Sequence, residues 1–221
     1  MATLPKALRR LTPDRLRDDV RLRALAVGIG LIPPRTMHSK AEAELLRTLA
    51  RGSRRVVEIG VYEGSSAVVL CETLAPDAEL HLVDPFGHHA TALPAGWGAT
   101  ERATRRVVAR AARRAPGGGP QVHWHIGYSA DVASSWEGPV DLVFIDGDHS
   151  EDGVAADWEQ WRPFIVTGGI AVFHDARAGR PGGTGLPGPT AVVDRLFRSD
   201  PPLGWEITHE TDGAVAVTRR G

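Results

Sequence analysis

The stretch "VVEIGVYEGSSA", residues 56–67, leads from an apolar segment through two glycines into a helical pattern. The apolar part predicts a buried strand over 54–60, and the spacing that follows predicts a helix over 64–75. This alternation continues along the chain. Further strands are predicted at 78–84, 121–127, 139–146 and 168–175, and further helices at 39–51, 99–115, 129–136, 150–165 and 188–200. Strands that alternate with helices indicate βαβ units around a parallel sheet with both faces covered.

The end of the chain has a different pattern. Residues 204–220 indicate two strands that meet at a tight turn over 211–213. One of these strands should therefore run antiparallel to the rest. We predict an α/β fold with a Rossmann-like, mostly parallel seven-stranded sheet, helices on both faces and a C-terminal antiparallel hairpin. The sheet does not need the amphipathic helix predicted at 5–27, so we expect an N-terminal helical extension over 1–35 and the main domain over 36–221.

The composition limits the classes of function. The 221 residues carry a net charge of −1, so no overall field attracts nucleic acid or an anionic membrane. The sequence has no run of about 18 apolar residues, and its single cysteine, Cys71, excludes an internal disulfide. The N-terminal stretch does not have the pattern of a signal peptide. We therefore expect a cytoplasmic protein that acts on a small-molecule or oligosaccharide partner and binds neither nucleic acid nor a membrane.

The carboxyl ends of the predicted strands indicate where a ligand binds. In open α/β sheets, ligands lie outside this edge of the sheet. The residues at these ends are Gly60, Asp84, Gly127, Asp146 and Asp175. Three of the five are aspartates, and neighbouring strands lie about 5 Å apart, so Asp146 and Asp175 are expected to come close together.

The turn after the first strand is suited to a ligand that approaches the backbone closely. Gly60 permits a tight turn, and Gly64 lets the following helix begin near the ligand. Ser65 and Ser66 offer hydroxyl groups at the same place. The spacing lacks the middle glycine of the dinucleotide fingerprint, and Tyr62 would crowd a pyrophosphate. An NAD-dependent oxidoreductase is therefore a weaker alternative.

Two features together resemble the S-adenosylmethionine site of class I methyltransferases. One is the pattern Glu58-x-Gly60-x-x-x-Gly64, and the other is Asp84 at the end of the second strand. The resemblance implies that the glycine turn holds the amino-acid part of S-adenosylmethionine and that Asp84 accepts hydrogen bonds from the ribose.

The resemblance extends to the remaining parts of such a site. It implies that Ser129 and Ala130, after the third strand, flank the adenine. It also implies that His38 and Ser39 contact the methionine carboxylate. Glu58, Ser65 and Ser66 complete the cofactor residues of the glycine turn, and Asp146 lies beside the methionine end.

The segments "FIDGDHS" (144–150) and "GGIAVFHD" (168–175) are similar to those of O-methyltransferases that modify sugar hydroxyls, many of which depend on Mg²⁺. The resemblance implies that Asp146 and Asp175 bind the ion, whose preferred ligands are oxygen atoms. Ala176 stands where those relatives have a second acid. Asp148 or His149 is available to complete the coordination, and a site that works without metal stays open.

Methyl transfer to a hydroxyl requires that the hydroxyl proton be removed. His149 is the candidate general base, because an imidazole with a pKa near 6.5 is neutral at pH 7, and Asp146 shares the catalytic edge. His174 precedes Asp175 within the predicted strand, so we expect its side chain on the opposite face, with a structural role.

The most favoured acceptor is a sugar or an oligosaccharide. A phenol or catechol acceptor is the alternative within the same enzyme class, and a nucleic-acid methyltransferase is disfavoured because no basic appendage is present. The segments 85–99 and 176–189 are rich in Gly and Pro and are expected to form walls of the acceptor pocket. The apolar face of the 5–27 helix predicts a homodimer.

Overall fold

The computed structural model describes residues 19–87, 101–199 and 202–221. Its single sheet has seven strands in the order β3-β2-β1-β4-β5-β7-β6. The strands are β1 (Arg55–Ile59), β2 (Glu79–Val83), β3 (Gln121–His125), β4 (Val140–Ile145), β5 (Ile165–Phe173), β6 (Trp205–Thr211) and β7 (Ala214–Arg219). The first five are parallel, and β7 is antiparallel to both of its neighbours. The predicted fold class is confirmed.

Helices cover both faces of the sheet. They are α1 (Val20–Ile29), α2 (Lys40–Ala50), α3 (Ser65–Thr73), α4 (Glu101–Arg114), α5 (Ser129–Ser134), α6 (Glu151–Trp161) and α7 (Pro187–Val193), and a π-helix (Asp194–Ser199) follows α7. The Ser39 side chain caps α2, and the Ser150 side chain caps α6.

The apolar core consists of two layers, one on each side of the sheet. Side chains of α2, α3 and α4 pack on one face, around Leu70, Leu80 and Leu142. Those of α5, α6 and α7 pack on the other face, around Trp158 and Phe173. The central strands supply alternate residues to both layers, which explains why their sequences are continuous apolar runs.

The sheet brings the carboxyl ends of the central strands together. Ile59 at the end of β1 pairs with Ile145 at the end of β4, and Ile145 pairs with Phe173 at the end of β5. The ladder continues one residue further, because Asp146 N donates to Ile59 O at 2.9 Å. β1 lies between β2 and β4, so the chain order reverses beside this point, where open sheets bind ligands.

Three predicted boundaries, at the end of α6 and at both ends of β5, are wrong. The helix predicted to end at residue 165 ends at Trp161, because Pro163 cannot continue an α-helix and lies instead in a short 3₁₀ turn. The strand predicted to begin at 168 begins at Ile165 and is bulged near Gly168, whose φ is +82°. The same strand ends at Phe173, two residues before the predicted end, so His174 and Asp175 follow the strand.

The N-terminal part of the described chain packs on the main domain. Gly28 of α1 faces α4, where Arg110 donates to its carbonyl oxygen at 2.7 Å, and Arg23 forms an ion pair with Glu63 at 2.6 Å. Residues 5–18 of the predicted 5–27 helix lie outside the described residues. The division at residue 35 and the homodimer stay predictions. Among the described residues, no helix is both long and apolar enough to cross a membrane.

Trp158 joins α6 to the C-terminal part of the fold. Its side chain is 1% exposed, and its ring lies 4.7–5.8 Å, between centroids, from Trp205, Phe197 and Phe173. Trp158→Ala should lower the free energy of unfolding by about 3–5 kcal/mol, because it leaves a cavity in this layer. Urea denaturation measures the change, and Leu22→Ala on the exposed face of α1 is the control. A loss below about 1 kcal/mol would contradict this packing.

Candidate active site

A cavity of about 920 Å³ opens at the carboxyl ends of β1, β2, β4 and β5. Most of the residues predicted from the sequence lie on its wall, namely Gly60, Ser65, Ser66, Asp84, Ser129, Ala130, Asp146, His149 and Asp175. Four others are absent from the described part of the wall, namely His38, Ser39, Glu58 and Gly64. The cavity therefore lies at the edge that the strand ends predict.

The turn after β1 is held by a close backbone contact at Gly60 and by hydrogen bonds to the Asp84 side chain. Gly60 has φ +85°, and a Cβ there would lie 2.2 Å from the Asp146 carbonyl oxygen. Asp84 Oδ2 accepts hydrogen bonds from Val61 N and Tyr62 N, both at 2.8 Å, and Oδ1 accepts from Phe86 N at 2.6 Å. Asp84 thus stabilises the turn with both lone pairs of Oδ2 and one of Oδ1. The second lone pair of Oδ1 can accept a further hydrogen bond.

Glu58 and Gly64 lie behind the cavity wall. The Glu58 side chain is fully buried, and burial raises its pKa to about 8. Ser66 on the wall donates a hydrogen bond to Glu58. Gly64 begins α3 with φ +85°, and its Cα is packed against Thr104 and Val108 of α4. Neither residue lines the described part of the cavity, and both support the turn from behind its wall.

His38 and Ser39 also differ from their expected placement. The amide and the hydroxyl of Ser39 are used in a capping box with Glu42, and the hydroxyl also donates to Asp212 at 2.5 Å. Met37 is the residue of this segment that lines the cavity. Helix capping and Asp212 have therefore taken the polar groups of Ser39 that the resemblance assigned to a ligand.

The end of the cavity near α5 contains two polar residues that the sequence did not reveal. Asp157 and Gln160 project from α6, and burial raises the pKa of Asp157 to about 6. Gln160 Oε1 is buried without a hydrogen-bond donor among the described residues. Both lie on a helix whose pattern indicated only packing. The one feature of the sequence that could have indicated them is an acid, Asp157, on the buried face of α6. It lies beside Trp161, whose indole N–H donates to Ser129 Oγ at 2.7 Å.

Three side chains form an Asp–His–Asp cluster at the other end of the cavity: Asp146, His149 and Asp175. His149 Nε2 lies 3.4 Å from Asp146 Oδ1 and 3.5 Å from Asp175 Oδ2. The two carboxylates raise the pKa of His149 to about 9. Burial opposes the charge of Asp146, but contacts with His149 and His174 lower its pKa. The predicted approach of Asp146 and Asp175 is therefore present, with an imidazolium between them.

His174 is part of the same group of charges, contrary to our expectation. Its ring does lie on the α2 side of the sheet, against Phe144, but Nδ1 is 2.9 Å from Asp146 Oδ1. The ring lies on the face that strand alternation predicts, and it reaches Asp146 because His174 N donates to Ile145 O at 3.1 Å and so continues the β4–β5 ladder beside Asp146. Burial opposes the charge on His174, but the carboxylates of Asp146 and Glu42 raise its pKa to about 10.

Asp175 has an unusual backbone. Its φ is +52°, in the left-handed region that non-glycine residues seldom adopt. Its carbonyl oxygen accepts from Leu186 N at 2.8 Å, and a Cβ on Gly185 would lie 2.2 Å from that oxygen. Strained residues of this kind are often held at functional sites, and here the conformation turns Asp175 toward His149.

The Asp–His–Asp cluster fits a divalent cation. One ligand atom from each of its residues lies within 4.8 Å of the others. Two carboxylates suit Mg²⁺, and an imidazole ligand would suit softer ions such as Mn²⁺ or Zn²⁺ better. Ala176 cannot contribute, because its side chain is apolar and its amide donates to Gly213 O at 2.6 Å.

The two segments predicted as pocket walls each reach the cavity. Pro85, Phe86 and Gly87 line it after β2. The rest of that segment, 88–99, lies outside the described residues. Leu186 lines the cavity from the segment that follows β5. The role of these segments toward an acceptor stays a prediction.

The fold and the cavity define a Rossmann-like protein with a ligand site at the carboxyl edge of its sheet. A family model described as a methyltransferase domain matches residues 57–176, which span β1 to the end of β5. The chain therefore belongs to this family of methyltransferase domains, and the prediction of a methyltransferase is confirmed.

Solved structures with the same fold include three of similar length. The cofactor-bound Rv0187 from MTB is 21% identical with a TM-score of 0.61, over 91% of this chain and 89% of that one. The O-methyltransferase TomG from Streptomyces achromogenes, involved in tomaymycin synthesis and in complex with SAM, is 18% identical with a TM-score of 0.59, over 98% and 95%. An O-methyltransferase from Bacillus cereus in complex with SAH is 16% identical with a TM-score of 0.58, over 95% and 93%.

The charge between the two aspartates can be measured directly. In the metal-free protein, His149 should titrate near pH 9, and Asp146→Asn should move this pKa toward 6.5 because one carboxylate is neutralised. A raised pKa stabilises the fold fully below pH 6.5, and the contribution is lost as the pH rises through 9. NMR of the imidazole Cε1–H signal, assigned with His149→Gln, follows the titration. A wild-type midpoint near 6.5 would show that the ring does not bridge the carboxylates.

Proposed function

We propose that this protein is an S-adenosylmethionine-dependent O-methyltransferase that acts on a hydroxyl of a small polar acceptor. The observation that carries the proposal is the joining, in one cavity, of the Gly60 turn with the Asp–His–Asp cluster. At the Gly60 turn a ligand can approach the backbone closely, and at the Asp–His–Asp cluster a hydroxyl can lose its proton.

The proposed cofactor site runs along the cavity from the cluster to α5. The Gly60 turn, Ser65 and Ser66 face the amino-acid end. Asp84 accepts a hydrogen bond from a ribose hydroxyl with the remaining lone pair of Oδ1. Ser129 and Ala130 flank the adenine, with Gln160 Oε1 available to accept a hydrogen bond. The complexes of TomG with SAM and of the Bacillus cereus enzyme with SAH, which have the same fold, support this assignment.

The proposed ion site is formed by Asp146 and Asp175, which lie on either side of His149. S-adenosylmethionine bound in the cavity would supply the methyl group, and Mg²⁺ held by Asp146 and Asp175 would lower the pKa of the acceptor hydroxyl. The carboxylates of this chain hold the acceptor end of the cavity negative and thereby favour a cation there.

His149 is proposed to take the hydroxyl proton at Nε2. In the metal-free arrangement its pKa of about 9 keeps the ring protonated at pH 7, so it cannot serve as a base. The two carboxylates that cause this shift are the ones proposed to bind the cation. Neutralising them returns the pKa of His149 toward its ordinary value, so ion binding and base function are coupled through the same two side chains.

The proposed acceptor is a sugar or an oligosaccharide. The similarity of the segments 144–150 and 168–175 to sugar O-methyltransferases supports it. Within that group, the short chain and the His174–Asp175 pair resemble the 1-O-methyltransferase of methylmannose polysaccharide synthesis, which supplies one acceptor to test. A phenol or catechol is the second candidate, since its hydroxyl is acidic enough to react with less help from a base.

Cofactor binding is tested by calorimetry with S-adenosylmethionine. Asp84→Ala should weaken binding about tenfold or more, because a hydrogen bond to a charged group contributes about 1.5–3 kcal/mol. Asp84→Asn, which keeps an acceptor, should have an intermediate effect, and Asp131→Ala on the exposed face of α5 is the matched control. Wild-type protein that fails to bind S-adenosylmethionine would refute the cofactor assignment.

Proton removal is tested by methyl transfer from labelled S-adenosylmethionine to sugars and to catechol. With a sugar acceptor, His149→Ala should lower kcat about 100-fold or more while cofactor affinity is retained. EDTA should also abolish activity, and Mg²⁺ should restore it. His123→Ala on the exposed edge of β3 is the control.

The two acceptor classes give different results in this experiment. If catechol is the acceptor, its lower pKa should make turnover much less sensitive to His149→Ala. A variant with unchanged turnover on every acceptor would leave His149 without the proposed role, and activity that is indifferent to EDTA would remove the ion.

A further inference from the structure

We propose that His174 and Glu42 form a buried positioning pair that holds the Asp146 carboxylate in the orientation required for cation binding. This inference rests on the ion site of the proposed function. It concerns two residues that contact neither the acceptor nor the ion in that proposal and that act through Asp146.

The first step is the contact between His174 and Asp146. His174 Nδ1 lies 2.9 Å from Asp146 Oδ1, closer than His149, whose Nε2 is 3.4 Å from the same oxygen. Both imidazoles therefore approach one carboxylate oxygen. This fixes the rotation of the carboxylate and leaves Oδ2, which has no hydrogen bond from the described residues, available to an ion.

The second step is the burial of His174. Its side chain is 2% exposed, and its ring packs edge-on against Phe144 with centroids 5.9 Å apart. A ring held this tightly is a fixed partner for Asp146, whereas His149, with a side chain 38% exposed, can move within the cavity. The two histidines therefore have different tasks, one to hold Asp146 and the other to meet the acceptor.

The third step is the support of His174 by Glu42 from α2. His174 Nε2 lies 3.6 Å from Glu42 Oε2, and the Glu42 side chain is 6% exposed. Glu42 is itself held in place, because Gly213 N donates to Oε1 at 2.7 Å and Ser39 N donates to Oε2 at 2.5 Å. Glu42 and Asp146 thus lie within ion-pair distance of opposite sides of the buried His174 ring, although neither ring nitrogen has hydrogen-bond geometry toward them.

The pair can be separated from simple packing by two isosteric variants of His174. The amide nitrogen of asparagine takes the place of Nδ1 beside Asp146, whereas that of glutamine takes the place of Nε2 beside Glu42. If His174 positions Asp146, His174→Asn should retain more cation affinity than His174→Gln. If His174 only fills space, glutamine should do better, because its volume is closer to that of histidine.

The measurement is Mn²⁺ binding to the full chain, followed by electron paramagnetic resonance of the free ion. We expect His174→Gln to weaken Mn²⁺ binding roughly 10- to 100-fold, the range typical for partners of metal ligands, and His174→Asn to weaken it less. Glu42→Gln should also weaken binding. Asp146→Asn should abolish it, and His123→Gln on the exposed edge of β3 should leave it unchanged. Thermal unfolding and S-adenosylmethionine affinity show that each variant is folded.

The outcomes distinguish the inference from the proposed function. Folded variants of His174 and Glu42 that bind Mn²⁺ as tightly as wild type would overturn the positioning pair and leave the ion site intact. An equal or weaker affinity of His174→Asn relative to His174→Gln would also overturn it. Wild-type protein that binds no Mn²⁺ would overturn the ion site itself and this inference with it. If His174→Gln does not fold, Glu42→Gln decides by the same criterion.

Discussion

Two carboxylates at the ends of neighbouring strands repel each other unless a positive charge lies between them. Asp146 and Asp175 are brought together by the parallel pairing of β4 and β5, and His149 occupies the space between their oxygens. The rest of the site follows from this constraint. The glycine at position 60 allows β1 to end against the Asp146 backbone, and the strained backbone of Asp175 keeps its side chain on the same side as His149. Charge balance at the sheet edge therefore determines which residues surround the cavity.

Much of this arrangement could be predicted from the sequence, because it depends on local patterns. Apolar runs between helical segments predicted the parallel sheet, and the aspartates at their ends predicted the edge where the cavity lies. Gly60, Asp84, Asp146 and Asp175 were identified because a parallel sheet must bring such positions together. The apolar runs mark the strands because each strand is buried on both faces. The polar and turn residues that follow each run mark where the strand ends.

The residues that were missed depend on contacts between distant parts of the chain. Ser39 could have faced a ligand, but the capping box with Glu42 uses its polar groups. Strand alternation placed His174 on the α2 face, where its ring lies, but it did not show that Nδ1 comes within 2.9 Å of Asp146 Oδ1. Gln160 lies on a helix that the pattern described only as packed. In each case the role of the side chain is determined by contacts with a neighbouring element, which local sequence patterns do not show.

The hairpin turn at Gly213 has a consequence for the order in which the protein becomes competent. Gly213 N binds a carboxylate 171 residues earlier in the chain, and Gly213 O accepts from Ala176 N beside Asp175. Contacts between such distant residues form late, because the intervening loop must first be closed. During synthesis, the ribosome has released almost the whole sheet before these two bonds can exist. The surroundings of Asp175 are thus completed only after β6 and β7 have folded onto the strands that precede them in the sequence.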